Sequence, residues 1–147
     1  MRPYPDLGVI PTSRSRQLKA ALVSAPFLLI TPLVLMDPEV PQGERWFLCS
    51  FTLFLMYALI RRSISKRTFQ GGVVTIPGLF KAQRAPYESL TGYDIRLVKQ
   101  RYGEVESVQL FTDDQRSLVI LQGEVSAEDY QRVKRWAEEH LTQVFWP

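Results

Sequence analysis

The sequence predicts an α+β protein in which a transmembrane helical hairpin is followed by an antiparallel β sheet and one C-terminal α-helix. Two charge-free apolar runs, Ala20–Met36 and Trp46–Ile60, lie close together near the N-terminus. Between residues 65 and 122, short segments rich in β-branched and aromatic residues alternate with glycine, proline and aspartate turns, which is typical of antiparallel strands. From Ser126 onward, apolar residues recur at helical spacing.

The two apolar runs are long enough to cross a bilayer, the second only with help from its flanks. They contain 17 and 15 residues, which as helices span about 26 and 22 Å. A hydrocarbon core of about 30 Å usually requires about 17–25 residues. Arg45, Arg61 and Arg62 can extend the second run by placing their aliphatic stems along the core. The alternative is a buried hairpin in a soluble fold, which the lack of a polar stripe on either run disfavours.

The charge distribution predicts that both termini are cytoplasmic. Residues 1–19 carry a net charge of +3, the loop Asp37–Arg45 carries −2, and residues 61–84 carry +6. Because basic segments are retained in the cytoplasm, we expect an integral protein of the cytoplasmic (inner) membrane with the loop outside. The segment Leu33–Pro38 lacks a small-x-small cleavage motif, so we interpret the first run as a retained anchor and not as a signal peptide.

Two prolines in the first run predict local loosening of that helix. Pro26 and Pro32 have no backbone N–H, so each leaves one helical carbonyl without its usual donor. In lipid such a carbonyl needs a nearby partner, and the hydroxyls of Ser24 and Thr31 are nearby candidates. No ionisable residue lies inside either run, which argues against a proton or ion pathway.

The segment after the hairpin predicts six or seven short antiparallel strands. Gly71-Gly72 predicts a tight hairpin turn, because glycine adopts the positive φ angles that such turns require. Further turns are predicted at Pro77-Gly78, Tyr102-Gly103 and Asp113-Asp114. The predicted strands are Ser65–Gln70, Val73–Ile76, Leu79–Ala85, Gly92–Lys99, Val105–Thr112 and Ser117–Gln122. Long crossover helices are missing between them, which argues against a parallel sheet.

The C-terminal segment predicts an amphipathic helix that closes the sheet. Ser126 followed by Asp129 resembles the capping box of a helix start. The apolar stripe consists of Tyr130, Val133, Ala137, Leu141 and Val144, bordered by Trp136. The predicted core combines strand and helix residues: Phe69, Val74, Ile76, Ile95, Leu97, Leu110, Ile120, Val133, Trp136 and Leu141.

These patterns divide the chain into three parts. We assign residues 1–17 to a cytoplasmic N-terminal tail and residues 18–62 to the hairpin, with helices at 18–36 and 46–62. Residues 63–147 form the cytoplasmic domain, which is long enough for one small core.

Four features of residues Ile64–Val144 occur together: the double-glycine hairpin, the segment APYESLTGYDI, the strands paired around a polar turn, and the final helix SAEDYQRVKRWAEEHL. In these features the cytoplasmic part resembles the bacterial membrane-anchored pleckstrin-homology-like (bPH) domain proteins. The resemblance implies a PH-like antiparallel sheet or open barrel with the C-terminal helix plugging one end. It further implies a role at the membrane surface or in assembly.

Chemistry-bearing residues are sparse, and the sequence predicts no enzyme, no metal and no cofactor. The only cysteine, Cys49, lies in the second apolar run, and the only histidine, His140, lies on the last helix, which excludes a Cys/His zinc cluster. Nucleotide-binding glycine motifs and the G-x-S-x-G turn of hydrolases do not occur. We interpret Asp113-Asp114 as a solvated hairpin tip, and we expect Glu104 and Glu106 to face solvent.

Six basic residues that follow the second run are the predicted contacts to lipid headgroups: Arg61, Arg62, Lys66, Arg67, Lys81 and Arg84. Residues 61–67 are also explained by topology alone, because positive charge beside a helix end retains that end in the cytoplasm. Lys81 and Arg84 join the other four only if their strand folds back toward the membrane. Basic and aromatic residues are not interleaved as in single-strand binders, so nucleic acid is not an expected partner.

Three functions fit these observations. The first is a membrane-anchored, non-catalytic interaction module that scaffolds or assists assembly of a membrane protein complex, with the lipid bilayer and a membrane protein as partners. The second is a sensor of anionic lipid at the membrane surface. The third is a small structural subunit of a larger membrane complex.

Overall fold

The computed structural model describes residues 4–78 and 80–145. Its contacts divide the chain into a helical unit, residues 14–64, and a β unit, residues 1–13 together with 65–147. The β unit is therefore built from two separate segments of the chain. The described residues form three α-helices and seven strands: β1 (Gly8–Pro11), α1 (Arg14–Met36), α2 (Gln42–Ile64), β2 (Lys66–Gln70), β3 (Val73–Ile76), β4 (Gln83–Pro86), β5 (Leu90–Gln100), β6 (Gly103–Thr112), β7 (Ser117–Leu121) and α3 (Ala127–His140).

The helical unit consists of two long apolar helices. Each has 23 residues and spans about 35 Å, and both are long and apolar enough to cross a membrane. Large apolar side chains are exposed along α1, including Leu29 at 72% and Met36 at 82%. The helices exceed their predicted bounds because the flanking Arg, Lys, Gln and Glu residues are themselves good helix formers. Pro41 directly precedes α2, and its carbonyl accepts the N–H of Arg45 at 3.0 Å.

The hydroxyls in α1 bond differently from the expectation. Pro32 cannot donate to the carbonyl of Leu28, yet Thr31 Oγ1 donates to the carbonyl of Phe27, at 2.6 Å. Ser24 Oγ likewise donates three residues back along the helix, at 2.9 Å. Neither candidate hydroxyl therefore bonds the carbonyl that a proline leaves free, because both make the local bonds that Ser and Thr usually make within helices.

The first sheet has the order β1-β2-β3-β4, and all neighbouring strands are antiparallel. Gly71 and Gly72 join β2 to β3 with φ angles of 60° and 73°, which confirms the predicted turn. Phe69, Val74 and Ala85 are paired across three strands and are buried. They form the inner face of this sheet.

Strand β1 was not predicted from the sequence. It pairs with β2 from Gly8 opposite Phe69 to Pro11 opposite Lys66, and Ile10 is fully buried. The segment that the sequence analysis treated as a tail therefore contributes a strand and a core residue to the β unit. Four residues are too few for a clear alternation pattern, and the partner strand follows only after both helices.

The second sheet has the order β5-β6-β7 and is also antiparallel. β7 pairs only with residues 107–111 of β6, whereas β5 pairs with β6 as far as Gln100 opposite Gly103. The two longer strands therefore continue past β7 as a two-stranded ribbon, residues 97–106, which we call the ribbon. The two sheets do not close into a barrel in the described part of the chain.

Helix α3 closes one core shared with both sheets. The N–H of Asp129 donates to Ser126 Oγ at 3.1 Å, which confirms the predicted cap. The buried core contains Ile10, Phe69, Val74, Ile76, Ala85, Tyr87, Leu90, Tyr93, Val108, Leu110, Leu118, Ile120, Val125, Tyr130, Val133, Trp136 and Ala137. Ile95 and Leu141 are partly buried against it. The placement of Leu97 in the core is wrong: it is 66% exposed, because it lies on the ribbon, where β7 no longer follows.

The residues after α3 run along the edge of β5. The N–H of Tyr93 donates to the carbonyl of Thr142 at 3.0 Å, and the N–H of Val144 donates to the carbonyl of Tyr93 at 2.8 Å. A Cβ at Gly92 would lie 2.8 Å from the Thr142 carbonyl oxygen. Glycine is therefore required at residue 92 for this close approach.

Candidate functional site at the insertion of the helices

The two apolar helices are inserted between strands that pair with each other. Pro11 at the end of β1 lies opposite Lys66 at the start of β2, and Thr12 Oγ1 donates to the carbonyl of Ser65 at 2.7 Å. α1 begins two residues after Thr12, and α2 ends one residue before Ser65. We call residues 11–13 and 65–66 the insertion point.

The loop after β7 contacts the insertion point. The N–H of Ser13 donates to the carbonyl of Glu124 at 3.0 Å, and Ser13 Oγ donates to the carbonyl of Gly123 at 3.1 Å. These two hydrogen bonds connect the loop after the second sheet to Ser13, the last residue before α1.

Arg67 is an interior ion-pair residue. Its side chain is 7% exposed, and its Nη2 lies 2.7 Å from Oε2 of Glu124. We therefore remove Arg67 from the proposed headgroup contacts. The alternation along β2 places Arg67 on the same face as the buried Phe69. The sequence did not indicate this burial, because Arg67 belongs to a run of basic residues.

The other five predicted contacts are divided between the two units: Arg61 and Arg62 in α2, and Lys66, Lys81 and Arg84 in the β unit. Arg61 Nη1 donates to the hydroxyl of Tyr57 at 2.9 Å. Lys66, Lys81 and Arg84 are all exposed.

The strand register brings Lys66, Lys81 and Arg84 to one region. Arg84 lies opposite Thr75, and Thr75 lies opposite Thr68, two residues from Lys66. Because residues two apart along a strand share a face, Arg84 and Lys66 lie on the same outer face. The β3–β4 loop, which carries Lys81, joins its strands at the end where β2 begins.

The same loop carries an exposed aromatic residue. Phe80 is 69% exposed and directly precedes Lys81. The predicted strand Leu79–Ala85 is shorter in the structure, since β4 begins at Gln83, and Leu79 lies outside the described residues. An aromatic ring beside basic side chains is the composition found at membrane interfaces.

At the opposite end of the first sheet, Asp6 binds the β2–β3 turn. Its carboxylate accepts the N–H of Gly71 and the hydroxyl of Tyr87, both at 3.0 Å. The backbone hydrogen bond from Gly71 lowers the pKa of Asp6. Burial, together with the bond to Asp6, raises the pKa of Tyr87.

Helix α3 binds the residues that precede β1. Trp136 Nε1 donates to the carbonyl of Pro5 at 2.8 Å, and Arg132 Nη2 donates to the carbonyl of Leu7 at 2.9 Å. The rings of Tyr4 and Trp136 meet edge-to-face, with centroids 6.0 Å apart. These contacts make the N-terminal segment an integral part of the β unit.

The two strand glutamates differ in environment. The carboxylate of Glu106 accepts the hydroxyl of Tyr130 at 3.1 Å and Lys134 Nζ at 3.0 Å, so the expectation that it faces solvent is wrong, whereas Glu104 is exposed. Burial, followed by the bond to Glu106, raises the pKa of Tyr130.

The acidic turn between β6 and β7 is internally paired. The carboxylate of Asp114 accepts hydrogen bonds from the guanidinium of Arg116 and the hydroxyl of Thr112, and these bonds lower its pKa to about 2. Among the described residues, no group of three His, Cys, Asp or Glu side chains could hold a metal ion.

Comparison of the chain with models of protein families, with curated proteins and with solved structures finds no match. The function is therefore argued from the geometry of this chain alone.

Proposed function

We propose that this chain is a membrane-anchored, non-catalytic interaction module. In this proposal α1 and α2 span the bilayer as a hairpin, and the β unit is a PH-like domain on the cytoplasmic side. The β unit contacts a membrane protein and assists the assembly of a membrane protein complex.

The observation that carries this proposal is the insertion of the helices between β1 and β2. Pro11 and Lys66 are paired, so the chain must return after α2 to the side of the membrane that it left before α1. Two crossings meet this requirement and one crossing does not. In the proposed hairpin this pairing requires the segments before α1 and after α2 to share one side of the membrane, and the basic flanks favour the cytoplasm as that side.

The lipid-facing role of the helices is supported by their surfaces. Trp46, Phe47 and Leu53 of α2 are 65–69% exposed, and a soluble protein rarely exposes apolar patches of this extent. The order of four strands, three strands and a closing helix in the β unit supports the PH-like part of the proposal.

The membrane topology can be tested in the full chain by labelling single cysteines, with Cys49 replaced by alanine. Glu39→Cys in the loop is expected to react with a membrane-impermeant maleimide only from outside, and Asp113→Cys in the β unit only from inside. Reaction of both residues from one side, or release of the protein by alkaline carbonate, would contradict the hairpin.

The assembly role can be tested by affinity purification from mild detergent. We expect a defined membrane protein to co-purify at constant stoichiometry. Recovery of the chain alone, at several detergent concentrations, would contradict this role.

A second function, contact with anionic lipid, is favoured by Lys66, Lys81 and Arg84 at one end of the first sheet. Each basic residue near an anionic surface contributes about 1 kcal/mol. In the full chain, a fluorophore at Phe80→Cys should be quenched by spin-labelled phosphatidylglycerol. Lys81→Glu should reduce this quenching, whereas Arg135→Glu at an exposed position of α3 serves as the charge-matched control.

A further inference from the structure

The two turns of the second sheet lie at opposite ends of β6 and differ in chemistry. The 10 residues of β6 separate them by about 31 Å. The β5–β6 turn contains Arg101 and Tyr102; Tyr102 is 93% exposed, and the Arg101 guanidinium lies 5.8 Å from its ring centroid. The β6–β7 turn contains Asp113 and Asp114. One end of the sheet is thus basic and aromatic, and the other is acidic.

The ribbon begins beside the insertion point. The N–H of Gln122 donates to the carbonyl of Glu106 at 2.8 Å, and the carbonyl of Glu124 accepts the N–H of Ser13 at 3.0 Å. The base of the ribbon and the residue before α1 are therefore held by the same short loop. The basic, aromatic turn is at the end of β6 nearer this loop, and the acidic turn is at the far end.

The ribbon is longer than the polar start of α1 that precedes the apolar run. Tyr102 lies four residues before Glu106, a reach of about 14 Å along the strand. Residues 14–19 lie between the insertion point and Ala20, the first residue of the apolar run, and they span about 9 Å of helix. The headgroup layer itself occupies about 5–8 Å of that distance.

We propose that the Arg101-Tyr102 turn is a second membrane contact, which rests in the headgroup layer of an anionic bilayer. This inference rests on the proposed hairpin. Tyrosine favours the interface, where its ring is partly immersed and its hydroxyl stays hydrated. Arg101 and Lys99 bind lipid phosphates, while Glu104 across from Lys99 keeps the contact shallow. With the insertion point and the turn both at the membrane, the β unit is held in one orientation, and its acidic turn points into the cytoplasm.

A bilayer is favoured over a protein as the occupant because the exposed turn combines a basic and an aromatic side chain, Arg101 and Tyr102, which is the composition found at membrane interfaces. Leu97 at the base of the ribbon and Tyr102 at its tip are its exposed large apolar side chains, so the tip presents one aromatic ring and no broad apolar face. A headgroup layer accepts such a tip without a complementary pocket.

The proposal is tested with the full chain in vesicles of phosphatidylcholine containing a quarter phosphatidylglycerol. Cys49 is replaced by alanine, and an environment-sensitive fluorophore is attached to Tyr102→Cys or, as the matched control at the far turn, to Asp113→Cys. Lipid spin-labelled at the headgroup is expected to quench the label at residue 102 at least about threefold more than the label at residue 113, because only an interfacial group approaches the spin label. Adding Arg101→Glu should roughly halve the quenching at residue 102, since one headgroup attraction becomes a repulsion, whereas Arg116→Glu should leave it unchanged.

Equal quenching at residues 102 and 113 would overturn the proposal. Shielding of residue 102 from aqueous iodide without lipid quenching would also overturn it, in favour of a protein contact. The Glu39→Cys labelling distinguishes failure of the hairpin from failure of the turn contact. Reaction of residue 39 from the side of the β unit refutes the hairpin. If residue 39 reacts from the opposite side, the quenching experiment tests the turn contact alone.

Discussion

Helices α1 and α2 expose their apolar side chains, whereas α3 buries its own. Leu29 and Met36 of α1 are 72% and 82% exposed, while Val133 and Trp136 of α3 are 0% and 3% exposed. Apolar residues stabilise a protein only where water is removed from them. In α3 the β unit removes the water, and in α1 and α2 we propose that lipid does so. In this proposal, apolar side chains of the same types are surrounded by the protein core in α3 and by lipid in α1 and α2.

The largest expected effect concerns the two segments of the β unit. A chain beginning at residue 65 lacks β1, so that Phe69 loses a strand partner and the core loses Ile10. We expect it to show no cooperative unfolding transition by circular dichroism, since a small domain has only about 5–15 kcal/mol of stability to lose. Joining Pro11 to Lys66 through Asn-Gly should restore folding, because the paired residues suit a two-residue turn. Cooperative unfolding of the chain that lacks β1 would show that β1 is dispensable.

A substitution on the buried face of α3 should be the next most damaging. Trp136→Ala removes ring contacts and the bond to Pro5. In the shortened chain in which Asn-Gly joins Pro11 to Lys66, it should lower the free energy of unfolding by about 3–5 kcal/mol. Leu97→Ala on the ribbon is the control, with an expected loss of less than about 0.5 kcal/mol. Similar losses at the two positions, measured by urea unfolding, would contradict the described core.

A charge on the exposed face of α1 should disturb insertion and not the fold of the β unit. Leu29→Arg near the middle of the apolar run should make insertion less favourable by about 2.5–3.5 kcal/mol. The fraction of chains whose Glu39→Cys reacts from outside measures this effect. Lys19→Arg at the end of the run is a control that should leave the fraction unchanged. Equal fractions in both variants would argue against lipid around α1.

The smallest expected effect is a pH dependence at Asp6. Its pKa is lowered in the folded state, mainly by the bond from Gly71, so the folded state binds that proton less tightly than the unfolded state. The stabilisation is therefore complete above the usual pKa of about 4 and is lost as the pH falls through the folded value. Asp6→Asn should lower the melting temperature at neutral pH, and the difference from the native sequence should shrink toward pH 3. A difference independent of pH would assign the effect to packing.

The sequence predicted those elements whose signal is local. The Gly71-Gly72 turn, the Ser126 cap and the apolar stripe of α3 each depend on residues within a few positions of one another. The structure confirms the turn, the cap and the stripe as far as Ala137, whereas α3 ends at His140, so the prediction that Leu141 and Val144 continue the helical stripe is wrong. The apolar runs were long enough to be recognised as helices, although their charged flanks extend both beyond the predicted bounds.

The sequence could not predict features that depend on distant partners. β1 has only four residues, and its partner follows after the two helices. Leu97 has the alternation of a core residue, but it lies opposite Glu106, and β7 pairs with β6 only at residues 107–111. Arg67 belongs to a basic run, yet it is buried in an ion pair with Glu124, which lies on a loop distant in sequence. In each case the deciding neighbour is remote along the chain.

The position of β1 has a consequence for biosynthesis. β1 is translated before α1, and its partner β2 only after α2, so the sheet cannot be completed until both helices have been made. A nascent chain that inserted a single span would leave β1 and β2 in different compartments, with Phe69 and Trp136 exposed to solvent. Such a chain would be a substrate for quality-control proteases. A folded β unit would therefore form only in chains whose two helices had both been inserted.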